Sequence, residues 1–261
     1  MKSVKSVVRT FRGNQTASRQ LPLCMKTKLT SVIAFLALSA CTFAADWQTD
    51  YARLLKKYVS NGGVKYAEWK ASADDVKALQ EVADGIAAAP VSTAKSKEQL
   101  AFHINAYNAW ILHEAVAKYP TKSVKDLAFT FFLGNRITVA GTKMSFNHLE
   151  KDIIRPRFAE PRVHFALNCA SRSCPPLRNE PYDAAKLDAQ LDDQARVYVN
   201  SPSGVKPEGD GAALSKIFDW YKEDFGGDAA VTAFLKKYRS GKSDFKKISY
   251  QEYDWSLNET K

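Results

Sequence analysis

The first 45 residues of this 261-residue chain contain no acidic side chain. They carry seven basic ones, Lys2, Lys5, Arg9, Arg12, Arg19, Lys26 and Lys28, and then an apolar run from Leu29 to Cys41. At about 13 residues that run is too short for a membrane span, which needs about 20. A basic start ahead of a short apolar run is the build of a secretory signal peptide. Met25 opens "MKTKLTSVIAFLALSA", a complete signal of this kind, so residues 1–24 read as an over-long n-region or as sequence ahead of the true start. The basic balance is therefore local. Without the leader's seven, 31 basic residues face 28 acidic ones, and the net charge falls from +10 to +3. Such a surface gives no reason to expect nucleic-acid binding.

Also missing are low-complexity runs, internal repeats and the regular strand–helix alternation of a doubly wound sheet. Residues 46–261 are expected to form a single globular domain, α+β in class, predominantly helical with a small, mainly antiparallel sheet. Helical periodicity marks residues 47–60, 73–89, 96–119, 146–158, 183–199, 214–225 and 228–239. "VKYAEW" reads as a short extended segment. "RITVAGTKMSF" reads as a hairpin about Ala140-Gly141-Thr142, and the C-terminal "FKKISYQEYDWSLN" as extended. Arg162 to Asn168, "RVHFALN", reads as a buried strand.

Cysteine is scarce, with only four in the chain. Cys41 ends "LSAC", which resembles a lipoprotein box, whereas "TFA" at 42–44 suits simple cleavage beside Ala45. Cys169 and Cys174 sit five apart in "NCASRSCPPL", and three readings stay open. In an oxidising compartment the pair is a disulfide staple. As a reactive thiol it needs a base or a positive charge nearby, from His164, Arg155, Arg162 or Arg172. As a metal site the two sulfurs and one histidine give three ligands, but no second C-x2-C or H-x3-H pair supports it. The C-x4-C spacing is also not the C-x2-C of thioredoxin-like motifs. If 163–168 is a strand, His164 and Cys169 lie ~16 Å apart on opposite faces, which excludes a direct dyad.

Asn105 and Asn108 lie on one side of the buried 96–119 helix, either tying a neighbouring backbone or lining a pocket. Glu150 and Arg155 share a short helix, as a structural ion pair or as a base and its partner. Arg162 is placed to hold a substrate carboxylate or Glu150. His164, between Val163 and Phe165, suits a hydrogen-bonded core position. Asp254 and Trp255 suit a pinned C-terminus with the indole buried.

"INAYNAW", "RVHFALNCASRSCPPL", "LSKIFDWYKEDFGG" and "YDWSLN" together resemble the family known as domain of unknown function five-four-seven, from about residue 60 to the C-terminus. The resemblance implies matched positions at Asn105, Tyr107, Asn108, Glu150, Arg155, Arg162, His164, Cys169, Cys174, Pro175, Asp254 and Trp255. It implies no activity. Relatives in plant proteins that look intracellular count against a purely structural bridge. His103 stands where the family usually has tryptophan, and His148 is not a family position. The expected product is an envelope protein, periplasmic or in the outer envelope. Its candidate site is Cys169, His164 and Cys174, with Asn105, Asn108, Glu150, Arg155 and Arg162 as pocket or network. The alternative is a non-catalytic binding or scaffold module with a structural disulfide. No cofactor and no metal are indicated. The expected partner is a small molecule or another envelope protein, and membrane contact comes only through a lipid on Cys41. Mass spectrometry of the mature N-terminus separates the routes: cleavage beside Ala45 gives an unmodified start, and a diacylglyceryl mass on Cys41 gives the lipoprotein.

Overall fold

The computed structural model describes residues 47–127 and 130–260, within one compact unit. Cys41 and the leader lie outside the described residues. Among the described residues the chain is mainly helical, as the patterning implies, and its strands form three small sheets where one was expected. No helix among the described residues is long and apolar enough to cross a membrane.

Helix α1 (Trp47–Tyr58) buries Trp47, Tyr51, Leu54, Leu55 and Tyr58. That is one stripe at helical spacing. Strands β1 (Val59–Ser60) and β2 (Gly63–Val64) then form a tight hairpin. Its turn residues Asn61 and Gly62 both have positive φ, 51° and 77°. "VKYAEW" departs from the extended reading, because Tyr66–Ala71 is helix α2 and buries Tyr66 and Trp69. Helix α3 (Ala73–Ala88) starts at Ser72, whose side chain accepts the Asp75 N–H. Helix α4 (Lys97–Lys118) starts likewise at Ser96 and is buried around most of its circumference. It is the axis of the larger core, with α1, α2 and α3 packed around it.

After the short helix α5 (Thr130–Leu133), strands β3 (Ile137–Val139) and β4 (Thr142–Met144) form the expected hairpin. Ser145 caps α6 (Phe146–His148). The helix then widens into a π-turn at Leu149–Ile154 and ends as α7 (Arg155–Phe158).

The strand expected from 162 to 168 does not form. Pro161–Phe165 is a 3-10 helix. Pro161 opens it where a missing N–H costs nothing, and the Glu160 side chain accepts the Arg162 N–H. These start signals outweigh the β-leaning composition of Val163 and Phe165. The ~16 Å separation of His164 from Cys169 therefore no longer follows.

A second core packs α8 (Leu187–Val199), α9 (Lys216–Trp220), α10 (Lys222–Phe225) and α11 (Asp228–Tyr238) around Phe165 and Phe218. A hairpin not anticipated from sequence, β5 (Val205–Glu208) with β6 (Gly211–Leu214), joins this core. Strand β7 (Ile248–Tyr250) adds in parallel to β6. Residues 254–260 then return to the first core, bridging Ser256 to Ser123, Leu257 to Ser171 and Glu259 to Val64. Val163 and Ala166 pack in the first core and Phe165 in the second, so the 3-10 helix is the seam between them.

Gly62 ties the first hairpin to the cysteine segment. A Cβ there would lie 2.2 Å from Pro176 Cβ, whereas at Gly141, with a similar φ of 75°, it would meet nothing within 4 Å. Gly141→Ala should cost only the backbone term, roughly 1 kcal/mol. Gly62→Ala should cost at least about 2 kcal/mol, the excess arising from Pro176. Urea unfolding midpoints of the two variants give the comparison.

Candidate functional site

The cysteine turn is set by amide clamps from below. The Asn108 side chain donates to Ala166 O at 2.9 Å and accepts from Asn168 N at 2.9 Å. Asn168 in turn accepts the Ala170 N–H at 2.8 Å, and Ala170 takes the left-handed conformation at φ 62°. This turns the chain sharply between the two cysteines. Asn105 makes the same two-point clamp on Tyr182, at 2.8 and 2.9 Å. It lies by a separate cavity of about 480 Å³, away from the cysteines.

Cys169 and Cys174 are bonded, with Cα atoms 6.1 Å apart. The disulfide forms part of the wall of a cavity of about 510 Å³. Cys174 is buried, 8% exposed, and Cys169 is half-buried. Both sulfurs face hydrogen-bond donors. The Cys169 N–H donates to Cys174 Sγ at 2.8 Å. Ser171 Oγ lies 2.9 Å from Cys169 Sγ. The Tyr253 hydroxyl lies 3.3 Å from each sulfur, and burial pushes that phenol up to about 12. Cys174 also lines a smaller cavity of about 350 Å³ with Gly62, Arg172 and Asn258 on the other side of the turn.

The far wall carries two linked polar sets. His164 Nε2 lies 2.8 Å from Asp224 Oδ2, and Asp224 also takes two bonds from Arg155, at 2.5 and 2.9 Å. His164 and then Arg155 hold the Asp224 carboxyl well below the usual carboxylate range, against partial burial. The His164 ring stacks on Tyr221 with centroids 3.9 Å apart. Tyr221 donates to Glu150 Oε1 at 2.6 Å, and Tyr107 reaches Glu150 Oε2 at 3.4 Å. Burial, then the charge on Glu150, hold the Tyr221 phenol above its ordinary value. Glu150 projects from the π-turn, a distortion that recurs at functional sites. A cluster of mutually tilted rings, Trp220, Tyr253 and Trp255, completes the cavity wall at centroid distances of 4.6–5.9 Å.

Several sequence expectations change here. Glu150 and Arg155 are not paired with each other, since Arg155 turns to Asp224. Arg162 is engaged by Glu160, Asp188 and Asp192, at 2.6, 3.0 and 2.8 Å, and is not among the cavity-lining residues. Trp255 is only half-buried, on the cavity wall, while Asp254 accepts from the Ser256 N–H and hydroxyl. His164 is a hydrogen-bonded buried histidine that also lines the cavity, and no described sulfur hydrogen-bonds to it. His103 is buried away from this cavity, and burial, then Arg157, pull its imidazole down to about 4. His148 is exposed beside Asp152. Among the described residues no three His, Cys, Asp or Glu side chains gather in metal-holding geometry.

Asp224, Tyr221 and Tyr253 were not singled out from the sequence. All three lie in or beside the quoted motifs, but the helical periodicity of "WYKEDFGG" marks its apolar residues and gives no signal at its polar ones. Asp224 stands one residue before a buried phenylalanine and carried no separate signal.

The chain's own segment Val91–Val199 matches a family model described as "Protein of unknown function, DUF547". The match covers 109 of the 261 residues. The DUF547 segment contains Asn105, Asn108, Glu150, Arg155, His164 and both cysteines. Asp224, Tyr253 and Trp255 lie beyond it. No curated protein and no solved structure gave a significant match.

A depressed folded-state carboxyl contributes stability that is present above the unfolded pKa, about 3.9, and is lost as pH falls through the folded value. Asp224 should therefore leave stability flat from pH 7 to about 4 and lower it below that. Asp224→Asn should be less stable at neutral pH and show a shallower acid limb. Urea midpoints from pH 7 to pH 2.5 measure both.

Proposed function

We propose that the cavity is a thiol–disulfide exchange site whose working bond is Cys169–Cys174. The carrying observation is the placement of both sulfurs on a cavity wall with a donor on each. Reduction leaves charge on sulfur, and donors aimed at sulfur stabilise a thiolate and so favour opening of the bond. Each sulfur has two such neighbours, Ser171 and Tyr253 at Cys169 and the Cys169 N–H and Tyr253 at Cys174, but Cys174 has the fixed backbone donor and is the more buried sulfur. It is the leaving group. Cys169 is the sulfur attacked.

In this reading an incoming thiol gives its proton to His164 at Nδ1. Asp224 holds the ring through Nε2, and no described group hydrogen-bonds Nδ1. The resulting thiolate forms a bond to Cys169 Sγ while the Cys169–Cys174 bond breaks onto Cys174. A second thiol then attacks the substrate sulfur of the mixed disulfide and releases Cys169. Two thiols are oxidised to one disulfide, and the protein gains two thiols. The leader fits this chemistry, since export to a bacterial envelope places the protein where disulfides persist. Soluble release and lipidation at Cys41 are both compatible with it.

One observation favours a second reading, a structural staple in a binding module. The loop closed by the disulfide pairs with the C-terminal segment, through Arg172 N to Ser256 O at 2.8 Å and Asn258 N to Ala170 O at 3.0 Å. A loop this short would add only about 2 kcal/mol in the chain-entropy model.

The exchange reading predicts that glutathione buffers reduce the native protein without denaturant. Cys174→Ser should then accumulate a mixed disulfide on Cys169 when offered oxidised glutathione. Cys169→Ser should react at least about tenfold more slowly, its remaining sulfur being buried. Mass spectrometry after acid quench reads all three. A bond that yields only after unfolding would leave the staple.

A further inference from the structure

The half-buried Glu150 carboxylate has no cationic partner within ion-pair distance among the described residues. A carboxylate has about four acceptor positions, and here two phenols use two of them. The nearest candidate cation is already engaged: Arg155 makes a two-point pair with Asp224 and lies over the Tyr221 ring, 5.0 Å from its centroid. Lys151, next in sequence, lines the same cavity but is exposed and makes no ion pair with Glu150 among the described residues. Its hydrogen-bond donors are neutral, and the Arg155 charge that acts on it is shared with Asp224, so a partly buried carboxylate here gains when a further cation joins it.

The aromatic side of the cavity favours the same kind of guest. Trp220, Tyr253 and Trp255 line it, Trp220 is 47% exposed, and Lys125 already lies 5.5 Å from the Trp255 ring centroid. Aromatic faces attract ammonium groups through the ring quadrupole. Glu150 and both sulfurs line the same cavity.

We infer that the cavity recognises a small thiol or disulfide bearing an ammonium group, with the ammonium at Glu150 and the sulfur at Cys169. The class is that of amino-thiols, and a cavity of about 510 Å³ has room for such a molecule and for a larger conjugate of one. The sulfur half of this assignment rests on the exchange reading. The ammonium half rests on Glu150 and the rings alone.

Binding and exchange are therefore measured separately. Thiols of unlike charge differ in acidity, so binding is read with S-methyl ethers, which cannot exchange. S-methylcysteamine (cationic) and 2-methylthioethanol (neutral) are titrated into oxidised wild-type protein and Glu150→Gln, following tryptophan fluorescence. The cationic ether should bind wild type at least about tenfold more tightly than the neutral one. Glu150→Gln should remove that difference, with circular dichroism verifying its fold. The wild-type comparison needs no variant, so a misfolded one leaves the test intact. Equal binding of the two ethers overturns the ammonium assignment, whatever the disulfide does. Preferential binding of the cationic ether without reduction by cysteamine sustains the ammonium site and overturns the exchange reading instead.

Discussion

The Asn108 side-chain amide holds the site's geometry together. It lies on the most buried helix, with both of its polar atoms committed to the backbone of the segment between the two cores. A buried amide left unpaired costs about 1–3 kcal/mol, so the pairing fixes position as well as adding stability. From that clamp the chain reaches Asn168, whose own side chain shapes the turn carrying Cys169. His164 stands on one side of the clamp and the cysteines on the other. Their shared cavity follows from the 3-10 coil and the Asn108 contact together.

The two cores explain why polar chemistry gathers where it does. Each core is dense with aliphatic and aromatic side chains, and neither tolerates unpaired charge. The seam between them is where Glu150, Arg155, His164, Asp224 and the tyrosines find partners. Arg155 and Asp224 come from different cores, so their pair also joins the two halves. Glu150 lies in the same seam with phenols as its hydrogen-bond donors and Arg155 acting on it only at a distance, a different electrostatic situation from that of its neighbour Asp224.

The longer helices were legible because they rest on local rules, whereas the short α2 and α5 were not. Ser72, Ser96 and Ser145 each cap the helix that follows, and apolar stripes mark α1, α4 and α8. The hairpin at Ala140-Gly141 was legible from its turn. The coil at Pro161–Phe165 was not, because β-branched and aromatic residues there suggested a strand, while the deciding signals were Pro161 and the Glu160 side chain. Both cysteines and His164 could be singled out by residue type. Their neighbours could not: Asp224 and Tyr253 lie 60 and 84 residues away along the chain from His164 and Cys169 respectively. Likewise, Arg155 and Arg162 were recognisable as arginines of interest, but which acids they would meet depended on packing.

The C-terminal segment that closes the cavity also sets an order of events. Tyr253 and Trp255 belong to its wall, and residues 256–259 are stitched to Ser123, Ser171 and Val64, early and middle parts of the chain. Pairings across such separations form late, because a large loop must close before they contribute. Both cysteines are made some eighty residues before Tyr253. During synthesis the pair is therefore available for oxidation, reduction or mispairing before the phenol that touches both sulfurs exists. A finished cavity thus reports that the chain has been read through its last aromatic residues, and a truncated product carries the two cysteines without the wall that encloses them.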